Sequence, residues 1–137
     1  MSTRGYIAVH NGNNVTYNYL HSDNYIVGGT GEKLLRSSKY NSEEGVKKLV
    51  TIGDRSYLEK ETPYNDQSEV VHTCSIEDWK DILEDSWDID FIYLWDKNNN
   101  GIYEWFVSSD NLPFRPLRVA YIEALMNKYQ VKGIVND

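Results

Sequence analysis

Two places in the chain set an imidazole one residue away from a second group that could bind metal or share a proton: His21-Ser22-Asp23 and His72-Thr73-Cys74. Either could begin a metal site or a catalytic pair. Three His and one Cys are too few for a zinc site without carboxylates from elsewhere. A turn in which Asp23 caps backbone amides is the favoured reading of the first pair. His72 and Cys74 would share one face of a strand, with no third partner in view. Just after the first pair, Gly28-Gly29-Thr30-Gly31 precedes a helix, and free amides at a helix start attract anions. Walker spacing is not met because no Gly-Lys-Ser/Thr follows four residues after a Gly, and dinucleotide-binding spacing is not met because Leu34 stands where the last Gly would belong. A flexible helix entry is the competing reading. His21, Asp23, Tyr25, Gly29 and Gly31 thus form one candidate ligand site.

A third candidate is Asp96-Lys97-Asn98-Asn99-Asn100-Gly101, which matches the opening of a calcium loop, with Glu104 at its ninth position. The twelfth position, which should supply a bidentate Glu, is Val107, and the flanks read as strands. An Asn- and Gly-rich hairpin turn accounts for Asp96, Asn98, Asn100 and Glu104 without an ion. No metal or cofactor is expected.

The fourth signal is charge. Among 137 residues the net charge is −7, yet residues 61–110 carry 13 acids against only Lys80 and Lys97, a net of −11. All four Trp (79, 87, 95 and 105) lie in that same stretch. Glu77, Asp78, Asp81, Glu84, Asp85, Asp88 and Asp90 fall within fourteen residues. A field of this sign repels nucleic acid and attracts basic protein surfaces. Regularly spaced carboxylates can also imitate DNA phosphates. Asp81, Glu84, Asp85 and Asp88, with Trp87 or Trp105 as an exposed anchor, form a candidate partner-binding set; an ordinary solvated helix face is the alternative.

The elements that must position these residues are legible in part. Tyr6–His10 and Val15–Leu20 read as strands around an Asn-Gly turn. A helix is expected over Glu32–Lys39, and a second follows Ser42 as N-cap, with Val46, Leu49 and Val50 as its apolar face and Gly53 as its stop. Residues 59–68 read as a polar loop and Glu69–Cys74 as a short strand. Ser75 with Asp78 resembles a capping box opening a helix over Ile76–Ser86 that buries Trp79, Ile82 and Leu83. Asp90–Trp95 and Ile102–Ser108 form a second hairpin, and a last helix spans Leu117–Gln130, ended by Gly133. The expected fold is a single α+β domain over residues 1–137: two antiparallel hairpins in a small sheet packed against about four helices.

The longest apolar stretch, Phe91–Trp95, is far short of a membrane span, the start of the chain does not read as a signal peptide, and the lone Cys74 suits a reducing cytosol.

Several segments resemble those of a group of small, mostly uncharacterised bacteriophage proteins. The shared features are Met1-Ser2-Thr3-Arg4 before a strand, His21-Ser22-Asp23-Asn24-Tyr25, Gly31 with Leu34-Leu35, Gly53-Asp54-Arg55-Ser56-Tyr57-Leu58, and Phe91-Ile92-Tyr93-Leu94. The likeness is scattered over about residues 1–108 and departs at Asn24 and Ile26, where Gly and Pro are more usual. It implies a phage or prophage origin and supplies no catalytic residues. Joined to the charge, it leads to an expected function: a non-enzymatic acidic protein that acts in the cytoplasm of a bacterial host. There it inhibits a basic, nucleic-acid-binding host protein such as a defence nuclease, in the manner of anti-CRISPR or anti-restriction proteins. Two other classes stay open: a small enzyme or ligand-binding domain around His21, Asp23 and Gly28–Gly31, and a homo-oligomeric structural or regulatory phage protein.

Overall fold

The computed structural model describes residues 3–60, 71–109 and 112–133. Its chain order is β1 (Gly5–Asn11), β2 (Asn14–Leu20), α1 (Thr30–Arg36), a 3-10 turn (Ser38–Tyr40), α2 (Glu43–Thr51), β3 (His72–Ser75), α3 (Ile76–Glu84), β4 (Phe91–Lys97), β5 (Tyr103–Ser109), β6 (Arg115–Pro116) and α4 (Leu117–Gly133). The mixed sheet and its helices make an α+β fold. Both expected hairpins are present, β1 with β2 and β4 with β5, but they do not stand as two separate units. Parallel pairing of β1 with β4, Gly5 opposite Phe91 through Val9 opposite Trp95, joins them into one six-stranded sheet ordered β3-β2-β1-β4-β5-β6. A hairpin signal lies within a few residues, whereas this pairing joins segments some 86 residues apart and is decided by burial on both faces of the central strands.

Each face of the sheet has its own core. On one, Ile7, Val9, Tyr93, Trp95, Trp105 and Val107 meet Leu34 of α1, Val46, Leu49 and Val50 of α2, and Leu117 and Ala120 of α4. On the other, Ala8, Val15, Ile92 and Leu94 meet α3 through Trp79, with Ile82 and Leu83 beside it. The helix starts follow local chemistry. The Ser42 hydroxyl accepts the Gly45 amide hydrogen bond at 3.1 Å and the Ser75 hydroxyl that of Asp78 at 3.1 Å, so both caps are where their residue types put them. The helix expected over Glu32–Lys39 divides into α1 and the 3-10 turn. The strand expected over Glu69–Cys74 is seen as His72–Ser75, and most of the expected polar loop lies outside the described residues. Among the described residues no helix is long and apolar enough to cross a membrane.

Candidate functional site

Helix α3 is amphipathic in an unbalanced way. Trp79 is buried against Tyr17 of the sheet, with ring centroids 5.2 Å apart. The opposite face presents Glu77, Asp78, Asp81, Glu84 and Asp85, all exposed. Glu77 and Asp78 in the first turn suit the positive end of the helix dipole. The last turn holds no base. Glu84 and Asp85 therefore stand at the negative end, and Glu77–Asp81 and Asp81–Asp85 repeat one sign at i, i+4. Each such pair costs a helix roughly 0.2–0.5 kcal/mol.

The turn that follows carries Trp87, which is 83% exposed, while Trp79, Trp95 and Trp105 are buried. Asp85 and Asp88 flank it, and Asp88 is held by Arg4 at 3.5 Å across a half-exposed ion pair. The Arg4 amide donates to Asp90 at 3.0 Å, so the turn is pinned to the start of β1. Beside it opens a groove of about 380 Å³ with an apolar floor of Leu83, Ile89, Ile92 and Phe114 and two acids, Glu84 and Asp90, in its wall. Asp81, Glu84, Asp85, Asp88 and Trp87 thus share one exposed ridge. Trp105 does not: its side chain is 2% exposed, and its indole N–H donates to the Tyr40 carbonyl at 2.8 Å. Trp105 shares a face with Val107 and meets Trp95 edge-on, which makes it a core residue rather than an anchor.

The His21–Gly31 segment is a tightly bonded turn. Asn24 is fully buried; its amide donates to the Thr3 carbonyl at 2.7 Å and the Leu20 carbonyl at 2.9 Å, while its own oxygen accepts from the Thr30 hydroxyl at 2.9 Å. The buried Tyr93 hydroxyl donates to the Asn24 carbonyl at 2.7 Å. Asp23 adopts φ 61°, and its carbonyl accepts from the Thr30 amide at 2.8 Å; the Gly31 amide donates to the Tyr25 carbonyl at 3.1 Å. Amides that an anion would need at the start of α1 are already engaged by the turn. A Cβ on Gly29 would lie 2.6 Å from the Asp23 carbonyl oxygen, and one on Gly31 2.8 Å from the Ile26 Cα. Both glycines allow α1 to lie on this turn. The His21 ring meets the Tyr19 hydroxyl at 2.9 Å, and Tyr25 is exposed against Phe91. His21 thus meets Tyr19, and Asp23 enters the turn through its backbone carbonyl.

At the tip of the second hairpin, the Asn98 side-chain oxygen accepts from the amides of Asn100 and Ile102 at 2.8 and 3.1 Å, and its amide donates to Glu104 at 2.8 Å. Arg118 donates to Glu104 at 3.0 Å, and Asp96 pairs with His10 at 2.9 Å. Asp96 and Glu104 are thus engaged by His10 and Arg118, and the Asn98 oxygen by the amides of the turn. Among the described residues no group of three or more His, Cys, Asp or Glu could hold a metal ion.

Three polar arrangements lay beyond sequence reasoning. Asp54 accepts from the Tyr19 amide at 2.8 Å and pairs with His72 at 2.9 Å, and His72 stacks on Tyr17 at 4.8 Å. His72 thus partners Asp54, not Cys74, whose thiol pKa is pushed up by burial. A raised thiol pKa opposes thiolate nucleophilicity. Arg55 is fully buried and has no carboxylate partner among the described residues: it donates to the carbonyls of Leu58 and Gly53 and to the Asn18 side chain, at 2.8–3.2 Å, and burial lowers its pKa to about 10. Finally, His10 reaches Asp96 across two strands. No local pattern marks Arg55, because its partners are two backbone carbonyls and the distant Asn18 side chain.

No protein-family model matches the chain, and neither a curated protein nor a solved structure matches it.

Proposed function

We propose that this protein is a non-enzymatic docking module that presents the outer face of α3 and the Trp87 turn to a basic surface on a partner protein. The observation that carries this reading is an indole 83% exposed beside the acids of α3, with Asp88 tied to Arg4. Trp is the side chain most often found at the energetic centre of interfaces, and charge around it steers encounter. The acids at the negative end of α3 weaken the helix they stand on. A partner supplying Lys and Arg would offset that repulsion, and the groove beside Trp87 offers an apolar wall for a neighbouring side chain. The bacteriophage resemblance extends the reading to a host nucleic-acid-binding protein, such as a defence nuclease, blocked in the host cytoplasm in anti-CRISPR or anti-restriction fashion. In that setting Asp81, Glu84, Asp85 and Asp88 take the places of phosphates.

The test is affinity capture from nuclease-treated bacterial lysate at low and high salt, with mass spectrometry. Wild-type protein is expected to recover one basic protein, lost at high salt and lost to a bait carrying Asp81→Asn, Glu84→Gln, Asp85→Asn and Asp88→Asn. Equal recovery by the neutralised bait would overturn the reading.

A further inference from the structure

The longest helix, α4, is apolar on two opposite sides. Leu117 and Ala120 are fully buried in the core, Tyr121 and Ala124 pack against it, and the Tyr121 hydroxyl donates to Glu32 of α1 at 3.1 Å. On the side turned away from the protein, Val119, Ile122 and Met126 are 39%, 56% and 55% exposed, and Tyr129 continues the line. A soluble helix that is apolar on both sides is ordinarily covered on both.

We propose that this outer face is the interface of a parallel homodimer, in which α4 pairs with α4 of a second copy. Three observations select that occupant. First, positions 119, 122, 126 and 129 are spaced 3-4-3, the a and d pattern by which one helix seats on another of the same spacing. Second, the flanking g and e positions are Arg118 and Glu123. Parallel pairing sets Arg118 of each copy opposite Glu123 of the other, twice by symmetry, whereas antiparallel pairing brings Arg118 toward the Lys132 end. Each of these side chains already has one partner in its own chain, Glu104 for Arg118 and Arg115 for Glu123, but 64% and 56% of their surfaces stay open. Third, the exposed stripe amounts to on the order of 400 Å² per copy, within the roughly 300–600 Å² of the largest apolar patch on a typical single chain, a patch that is often functional. Doubled and widened by its charged rim, it reaches the lower end of specific interfaces at about 1,000 Å². An interface of that size gives a dimer that dissociates on dilution.

The test is mass measured by light scattering across concentration. Wild-type protein is expected to move from 15.9 kDa toward twice that value between about 1 and 300 µM, a range set by the modest area. Ile122→Glu with Met126→Glu should hold it at the monomer mass with an unchanged circular dichroism spectrum, since both sites are open in the single chain. In a Cys74→Ser background, Ile122→Cys places each d-position thiol beside its own copy, so mild oxidation should yield a covalent dimer; antiparallel packing would not. A monomer mass at every concentration, a dimer indifferent to the double variant, or no cross-link at position 122 would each overturn the proposal. None of these outcomes bears on the acidic ridge, which belongs to α3.

Discussion

Asn24→Ala is the substitution that most sharply separates a scaffold from a ligand site in the His21–Gly31 turn. It removes three side-chain hydrogen bonds within a fully buried environment, two of them to the carbonyls of Thr3 and Leu20. At a net value of about 1 kcal/mol per bond, plus about 1 kcal/mol for leaving buried carbonyls unpaired, the expected loss is roughly 3–5 kcal/mol. That is a large fraction of the stability of a domain of this size, and it corresponds to a fall in Tm of roughly 10–20 °C. Asn24→Asp sharpens the argument because its shape is nearly the same. The introduced carboxylate keeps the acceptor for Thr30 but turns its other oxygen toward two carbonyls, so its pKa must rise on folding. A raised carboxyl pKa means the folded form binds the proton more readily than the unfolded form. Stability is then greatest at low pH and is lost as pH rises through the folded pKa. Urea denaturation of the three proteins at pH 4.5 and 7.5 reads both effects. Losses below 1 kcal/mol for Asn24→Ala, or an Asn24→Asp protein as stable as wild type at pH 7.5, would refute the assigned role.

Further expectations concern the same turn and the buried phenol beneath it. Gly29→Ala, whose Cβ would meet the Asp23 carbonyl oxygen at 2.6 Å, is expected to cost about 1–3 kcal/mol by calorimetry through overpacking, whereas His21→Ala at the rim should cost under about 1 kcal/mol. Burial raises the Tyr93 pKa, so the folded form keeps a proton that the unfolded form releases above about pH 10; stability from this group is complete below that pH and falls as pH rises. Arg55, lowered to about 10, works in the opposite direction above about pH 10, where the unfolded chain holds the extra proton. Tyr93→Phe should therefore lose about 1–2 kcal/mol at pH 8 by orphaning the Asn24 carbonyl, and show a shallower decline than wild type between pH 10 and 11.5. Parallel pH curves for the two proteins would contradict this.

Local chemistry was legible in the residues; what distant segments do to one another was not. Ser42 and Ser75 could be read as caps because cap and amide lie three residues apart. The Asn11–Asn14 turn could be read because Gly12 takes its φ of 63° within the turn itself. The parallel β1–β4 pairing had no local sign. Trp105 shares its face of β5 with Tyr103 and Val107, and it is the packing of that face under α2 and α4 that buries the indole. Asn24 and Arg55 are single polar residues whose partners are mostly main-chain carbonyls, and a carbonyl carries no residue type to recognise. The acidic ridge was legible as charge, and Trp79 as the buried side of its helix, but only the fold separates the exposed Trp87 from the buried Trp95 and Trp105.

The central claim is that Trp87 and the acids around it form a docking surface. Its most direct test is parallel capture from the same lysate with wild-type and Trp87→Ser baits matched for folding by circular dichroism. Removing an exposed indole should leave stability within about 0.5 kcal/mol. If Trp87 anchors the interface, loss of about 2 kcal/mol or more lowers affinity by thirtyfold or greater, and the basic partner should disappear from the Trp87→Ser eluate. The same partner recovered in equal yield by both baits would contradict the account.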